Sequence, residues 1–318
     1  MFLLKGVDAL DTIQIALVVI LSILVANYLY LKWSLRSNRE AEIADIEGFA
    51  NPEGPDGDTI ILGNEHLYDE FYAKVYDKII DGAARIDAEV NLSLSWAKTI
   101  RSEVETIQVL DVGSGTGGAV EMFKKANVGK VVGLDSSDAM VAAARKKFPK
   151  NDFRVGDVEQ IGQFAASEFN LVTMFYFTYY YLRDPDMTFK NIFNWLQPGG
   201  CLVLHLVNRE KFDPILESAS PFVAFSVQKY SKERVARSRV TFDKFQYEAN
   251  FDITGNNAEF REEFKFKNKK IRRQVHKLRI PKMEEIVSSA EANGFLYKQF
   301  IDLTALGYEY QYLFCFVR

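Results

Sequence analysis

Val109-Leu110-Asp111-Val112-Gly113-Ser114-Gly115-Thr116-Gly117-Gly118 decides the fold. The apolar run Ile107–Leu110 reads as a strand and Gly118–Ala126 as a helix. Glycines between them permit a tight turn and let a ligand approach the backbone. Gly113, Gly115 and Gly118 satisfy G-x-G-x-x-G, the pattern of a dinucleotide-binding loop. Gly113, Gly115 and Gly117 satisfy G-x-G-x-G equally well. On its glycines alone the loop suits two cofactor chemistries.

Outward from the loop, strands and helices alternate. Val131–Leu134, Phe153–Val155, Leu171–Tyr176 and Cys201–Val207 read as strands. Ser137–Phe148 and Asp186–Leu196 read as the helices between them, after two more at Leu67–Ile80 and Ile86–Ile100. This order predicts a parallel sheet with helices on both faces. After Asn208 the period changes to two. Val223–Gln228, Arg239–Phe245, Tyr247–Ile253, Glu259–Phe266 and Ile271–Ile280 read as strands, with a hairpin turn at Thr254–Asn257. This block, about 209–280, is expected as an antiparallel addition to the sheet. A helix from Pro281 to Ala292, stopped by Asn293-Gly294, and the strands Phe295–Ile301 and Tyr310–Val317 close the chain.

The residues around the loop discriminate between cofactors. Asp111 lies two positions before the first glycine. A pyrophosphate gains nothing from a carboxylate there, whereas the ammonium and sulfonium of S-adenosylmethionine do. Asp135 ends the second strand, where a carboxylate can accept from ribose hydroxyls; that feature is shared with NAD sites. Gly156-Asp157-Val158 follows the third strand, where a carboxylate can accept from an adenine amino group.

With LDVGSGTGG at 110–118, GLDSS at 133–137, GDVE at 156–159, FNLVTMFYF at 169–177 and LQPGG at 196–200, the chain resembles a class I S-adenosylmethionine-dependent methyltransferase. The resemblance runs over about residues 67–208. It implies a Rossmann-like α/β fold with a mostly parallel seven-stranded sheet, here carrying the antiparallel insertion after strand five. It implies that Asp111 and the Gly113–Gly117 loop, with Ser114 and Gly115, hold the methionine moiety. Asp135 and Ser136 would take the ribose, Met140 and Phe175 would wall the cofactor, and Asp157 with Val158 would read the adenine edge. Met140 also reads as ordinary core. No metal is expected.

The nearest resemblance is to the sugar N,N-dimethyltransferase branch, on the tyrosine-rich start Leu67–Asp77, Arg261-Glu262-Glu263-Phe264, Arg272–Lys277 and Arg279–Phe295. It makes Leu67–Asp77 a lid helix whose Tyr72 or Tyr76 closes over the cofactor. Members of that branch often carry a histidine after the fourth strand; here Tyr181 stands there. Phe175–Tyr181 is dense in aromatics where methyl transfer is expected, and aromatic faces attract a sulfonium. Tyr179, Tyr181 and His205, the last near the end of the fifth strand, are the candidate catalytic residues. The other readings are an NAD-dependent oxidoreductase and a catalytically silent module of the same fold.

Thr12–Leu31 is uncharged over twenty residues, enough for a helix of about 30 Å, the thickness of a bilayer core. Tyr28, Tyr30 and Trp33 flank its end as an interfacial belt would. The run is longer than a signal peptide's, and its start carries Asp8 and Asp11 beside Lys5. Residues 1–36 are therefore read as a transmembrane anchor. Lys32, Arg36 and Arg39 place the remainder of the chain in the cytoplasm. Residues 37–63, acidic and broken by prolines and glycines, read as a flexible linker, and 64–318 as the methyltransferase domain.

The net charge of −4 argues against nucleic acid as the partner, and two cysteines are too few for a disulfide scaffold. The basic run from Lys265 to Arg279 reads as a solvated strand face or as a contact for anionic lipid. The expected partners are a small-molecule or lipid substrate and the membrane.

Overall fold

The computed structural model describes residues 59–318 except 62, 81, 101, 103–105, 213, 215–235 and 243. The apolar segment Thr12–Leu31, the acidic residues 37–58 and the expected strand Val223–Gln228 lie outside the described residues. Among the described residues no helix is long and apolar enough to cross a membrane.

In chain order the elements begin with β1 (Thr59–Ile61), α1 (Glu70–Ile80), α2 (Ala83–Ile100), β2 (Val109–Val112) and α3 (Gly118–Lys125). They continue with β3 (Val131–Asp135), α4 (Asp138–Lys147), β4 (Asp152–Val155), β5 (Phe169–Met174), α5 (Pro185–Trp195) and β6 (Leu196–Val207). Next come β7 (Arg237–Thr241), β8 (Phe245–Thr254), β9 (Asn257–Phe266) and β10 (Ile271–Arg279). The last are α6 (Met283–Ala292), β11 (Leu296–Asp302) and β12 (Gln311–Val317).

Every residue of β2 and β5 is buried. Strands apolar on both faces belong at the centre of a parallel sheet covered by helices. The main sheet has seven strands in the order β11-β12-β6-β5-β2-β3-β4, parallel from β6 to β4 and antiparallel at β12. β2 lies between β3 and β5, so the chain builds first to one side of it and then to the other. The crevice beyond the carboxyl end of β2 is where such sheets bind ligands. Local signals act as their chemistry requires. Ser137 caps α4 by accepting from Met140 N, Asp184 caps α5 ahead of Pro185, and Gly294 at φ +97° follows α6.

The block after β6 departs from expectation: it does not extend the main sheet. It forms a second sheet, β1-β10-β9-β8-β7. The reason is that β12 occupies the free edge of β6, from Gln311↔Val207 to Val317↔Cys201. The insertion pairs with itself instead, around a two-residue turn whose first residue, Gly255, has φ +59°. Its inner face carries Phe245, Tyr247, Ala249 and Phe264, which join Tyr72, Val75 and Ile79 of α1 in one buried cluster. Thr59–Ile61, read as linker, is a strand paired in parallel with β10, Thr59 opposite Arg272. In the basic run, Lys265 pairs with Glu248 and Glu263, Arg273 with Glu263, and Arg272 with Asp69. Much of that charge is neutralised within the sheet.

Candidate functional site

The glycine loop turns because its glycines adopt a left-handed backbone: Gly113, Gly115 and Gly117 have φ of +71°, +52° and +88°. A Cβ on Gly113 would lie 2.4 Å from Thr178 Cγ2, and one on Gly117 would lie 2.5 Å from Phe153 Cζ. The loop is pinned to β3, with Gly113 N and Ser114 N both donating to Leu134 O.

Carboxylates stand at the strand ends. Asp135 Oδ2 accepts from Gly115 N at 2.8 Å and Oδ1 from Ser137 N at 2.9 Å. Burial raises its pKa, and those two bonds oppose the rise. Ser136 beside it is exposed. Asp111 is buried and accepts from Thr173 Oγ1 at 2.7 Å. Burial pushes its carboxyl up to about 7; the Thr173 bond opposes this, while Glu89 and Asp135 add to it. Asp157 accepts from Glu159 N at 2.9 Å and pairs with the exposed Arg183 at 2.7 Å, with Val158 buried beside it. Ser114 Oγ is buried and has no hydrogen-bond partner in the protein. The left-handed loop and the carboxylates beside it suit a ligand with an ammonium and a ribose, as S-adenosylmethionine has.

Helix α1 and its lead-in cover this loop, held by side chains of the loop and of α4 and its cap. Thr116 Oγ1 donates to Asp77, Lys147 pairs with Asp77, and Ser137 Oγ donates to Tyr68 O. The two lid tyrosines have different neighbours. Tyr76 is the one over the loop: its ring would be 3.9 Å from a Cβ on Gly115. Tyr72 is 2% exposed and donates to Glu262 Oε1 at 3.0 Å, so its hydroxyl serves the insertion sheet and not the cofactor site. Two further expected cofactor walls lie among apolar side chains. Met140 is 1% exposed and belongs to the apolar cluster beneath α1. Phe175 stacks on Phe123 in the core of the main sheet, because its position at the end of β5 turns it inward. The next residue, Tyr176, lies under the Arg85 guanidinium at 4.1 Å and has φ +52°.

Of the candidate catalytic residues, Tyr181 joins the group of rings that reaches Tyr76 over the loop. His205 is wholly buried, with Nδ1 2.5 Å from Glu89 Oε1 and Nε2 3.0 Å from Gln311 Oε1. Both ring nitrogens are engaged by side chains of the protein. Burial would raise Glu89, but Arg85, 3.0 Å away, and His205 hold it below the usual carboxylate range. Tyr179 is buried against Phe189 and Tyr180, in the core on the α5 side. Tyr181 meets Tyr68 at 5.8 Å between ring centres, and Tyr68 meets Tyr76 at 6.3 Å.

Tyr181 Oη lies 2.7 Å from His276 Nδ1, and His276 Nε2 lies 2.6 Å from Glu262 Oε2. Glu262 also accepts from Gln274, Tyr247 and Tyr72. Sequence reasoning missed this buried cluster. Its signal was polar residues at alternate positions 272, 274 and 276, the inward face of β10. In the sequence they were submerged in a basic run.

Residues 109–200 match the family model described as a methyltransferase domain. Over 142 residues the chain is 31% identical to dTDP-4-amino-2,3,4,6-tetradeoxy-D-glucose N,N-dimethyltransferase of Saccharopolyspora spinosa, covering 43% of this chain and 55% of that one. Over 115 residues it is 37% identical to juvenile hormone acid O-methyltransferase of Bombyx mori, covering 33% and 40%. The chain thus spans about half the length of the curated relatives it matches. In fold it is similar to an S-adenosylmethionine-dependent methyltransferase of Clostridium acetobutylicum: TM-score 0.58, 16% identity, 78% of this chain and 97% of that one. It is also similar to DesVI of Streptomyces venezuelae: TM-score 0.55, 22% identity, 77% and 98%. Residues 109–200 are a methyltransferase domain, and the chain is similar to S-adenosylmethionine-dependent methyltransferases that include sugar N,N-dimethyltransferases.

Proposed function

We propose that this chain methylates a nitrogen or oxygen atom of a small-molecule or lipid-like acceptor at a membrane surface. Thr12–Leu31 is the anchor in this reading, and the catalytic domain faces the cytoplasm. The observation that carries the reading is the glycine loop tied to Asp135 and overlaid by Tyr76.

Bound S-adenosylmethionine supplies an electrophilic methyl group on a sulfonium. The protein's part is alignment and exclusion of water. The amide of Gly115 and the carboxylate of Asp135 fix the loop against the ribose. Asp111, the acid next to the loop, takes the ammonium. The rings of Tyr68, Tyr76, Tyr176 and Tyr181 offer their faces to a cationic centre. The named relatives act on an amino sugar nucleotide and on a carboxylic acid. Those acceptors span the nitrogen and oxygen choices open to this site.

Calorimetry on the full chain in detergent tests the reading. S-adenosylhomocysteine is expected to bind and NADH not to. The reverse result, or binding of neither, rejects it. For the anchor, carbonate extraction is expected to leave the full chain in the membrane pellet and to release a chain lacking residues 1–36.

A further inference from the structure

We propose that Tyr181, His276 and Glu262 form a proton relay that receives the acceptor's proton during methyl transfer. The relay rests on the methyltransferase reading above. Tyr181 touches the acceptor, and His276 and Glu262 act through it as positioning residues.

The geometry is continuous from cofactor loop to buried carboxylate. Thr178 packs on Gly113, and the short 3-10 turn Thr178–Tyr181 begins there. Tyr181 ends that turn beside Tyr68, which in turn meets Tyr76 above the loop. Tyr181 Oη reaches His276 Nδ1, and His276 Nε2 reaches Glu262. The direction of each bond is set by the groups. An ionised carboxylate only accepts, so His276 Nε2 carries a hydrogen. With the ring neutral, Nδ1 holds a lone pair and accepts from the Tyr181 hydroxyl.

Glu262 stays ionised despite its burial. Burial raises it, but His276, Tyr247 and Gln274 together hold it below the usual carboxylate range. Tyr181 is the opposite case: burial pushes its phenol far above the usual range, a hydrogen bond with Tyr68 opposes this, and Glu262, Tyr76 and Tyr176 add to it. A phenol so disposed does not hold a charge. It passes a proton on.

The step balances. As the acceptor atom is methylated, its proton moves to Tyr181 Oη. The proton already on Tyr181 moves to His276 Nδ1. His276 becomes an imidazolium, stabilised by the Glu262 carboxylate, and releases its proton to solvent afterwards through Tyr181. The other polar and titratable groups facing the pair are Tyr68, Asp69, Tyr72 and Tyr76 from α1 and its lead-in, Tyr247 from β8, and Arg272 and Gln274 from β10. Arg272 is paired with Asp69 at 2.7 Å, so its charge is compensated away from His276.

The test is 15N NMR of the full chain labelled at histidine. The chain has three histidines, and His276→Asn assigns the His276 signals. His276 is expected as the Nε2–H tautomer with an accepting Nδ1. The probe is sinefungin, an S-adenosylmethionine analogue with an amine at the methyl position. Its addition is expected to shift the Nδ1 signal of His276 in the wild type and not in Tyr181→Phe, while His205 signals stay in place in both. Sinefungin that binds by calorimetry yet leaves His276 unmoved overturns the relay and leaves the methyltransferase reading standing. Failure of both sinefungin and S-adenosylhomocysteine to bind overturns that reading, and the relay with it.

Discussion

Asp135 Oδ2 accepts a hydrogen bond from Gly115 N at 2.8 Å, which ties the end of β3 to the middle of the glycine loop. Its other oxygen caps the approach to α4 through Ser137 N. Hydrogen bonds to a charged group are worth about 1.5–3 kcal/mol each. Asp135→Ala is therefore expected to weaken S-adenosylhomocysteine binding by about tenfold or more, read by calorimetry. An unchanged Kd would remove Asp135 from the cofactor site.

Tyr76 and Tyr72 are one helical turn apart and have different work. Tyr76→Ala uncovers Gly115 and is expected to weaken S-adenosylhomocysteine binding severalfold. Tyr72→Phe deletes a hydroxyl bonded to buried Glu262 and is expected to cost about 1–2 kcal/mol of stability in urea titrations. Its Kd should stay within about twofold of wild type. Equal effects on binding would mean that both rings face the cofactor.

Glu89 lies between Arg85 and His205 in the buried space under Tyr176. Glu89→Gln leaves Arg85 without its counter-ion. Breaking a buried pair this way costs about 3–5 kcal/mol, so the denaturant midpoint should fall sharply. A midpoint near wild type would show that water replaces the carboxylate, which full burial of Glu89 argues against.

The pH dependence of Asp111 has a definite sign. Its folded-state pKa, pushed up to about 7 by burial, lies above that of an ordinary carboxylate. The stability this group contributes is full below the ordinary range and is lost as pH climbs through about 7. Asp111→Asn should remove that part of the decline in thermal stability between about pH 4 and pH 8. Cofactor affinity runs the other way, because an ammonium prefers the ionised form. Calorimetry should show tighter S-adenosylmethionine binding as pH rises through about 7, with a flatter profile in Asp111→Asn. Parallel profiles would place the ammonium elsewhere.

The sheet was legible because its signals are local. Glycine spacing at 113–117, the Ser137 cap and the Gly294 stop each act within a few residues. The site was legible only as far as the loop and strand ends, where Asp111 and Asp135 follow from topology. The rest depends on contacts across the fold. Tyr72 and Tyr76 share a helix face and differ only in what lies opposite. His205 looked available until Glu89, 116 residues earlier in the chain, met it. His276 and Glu262 are brought together by the register of β9 and β10. That register depends on the insertion forming its own sheet, a result of β12 taking the edge of β6.

The pairing of Thr59–Ile61 with β10 creates a load path. Any pull on the chain ahead of Thr59 is borne first by the register Thr59↔Arg272 to Ile61↔Gln274. The strand that takes the strain is the one carrying Arg272, Gln274 and His276. The N-terminal chain and the polar inward face of β10 therefore meet on a single β-strand.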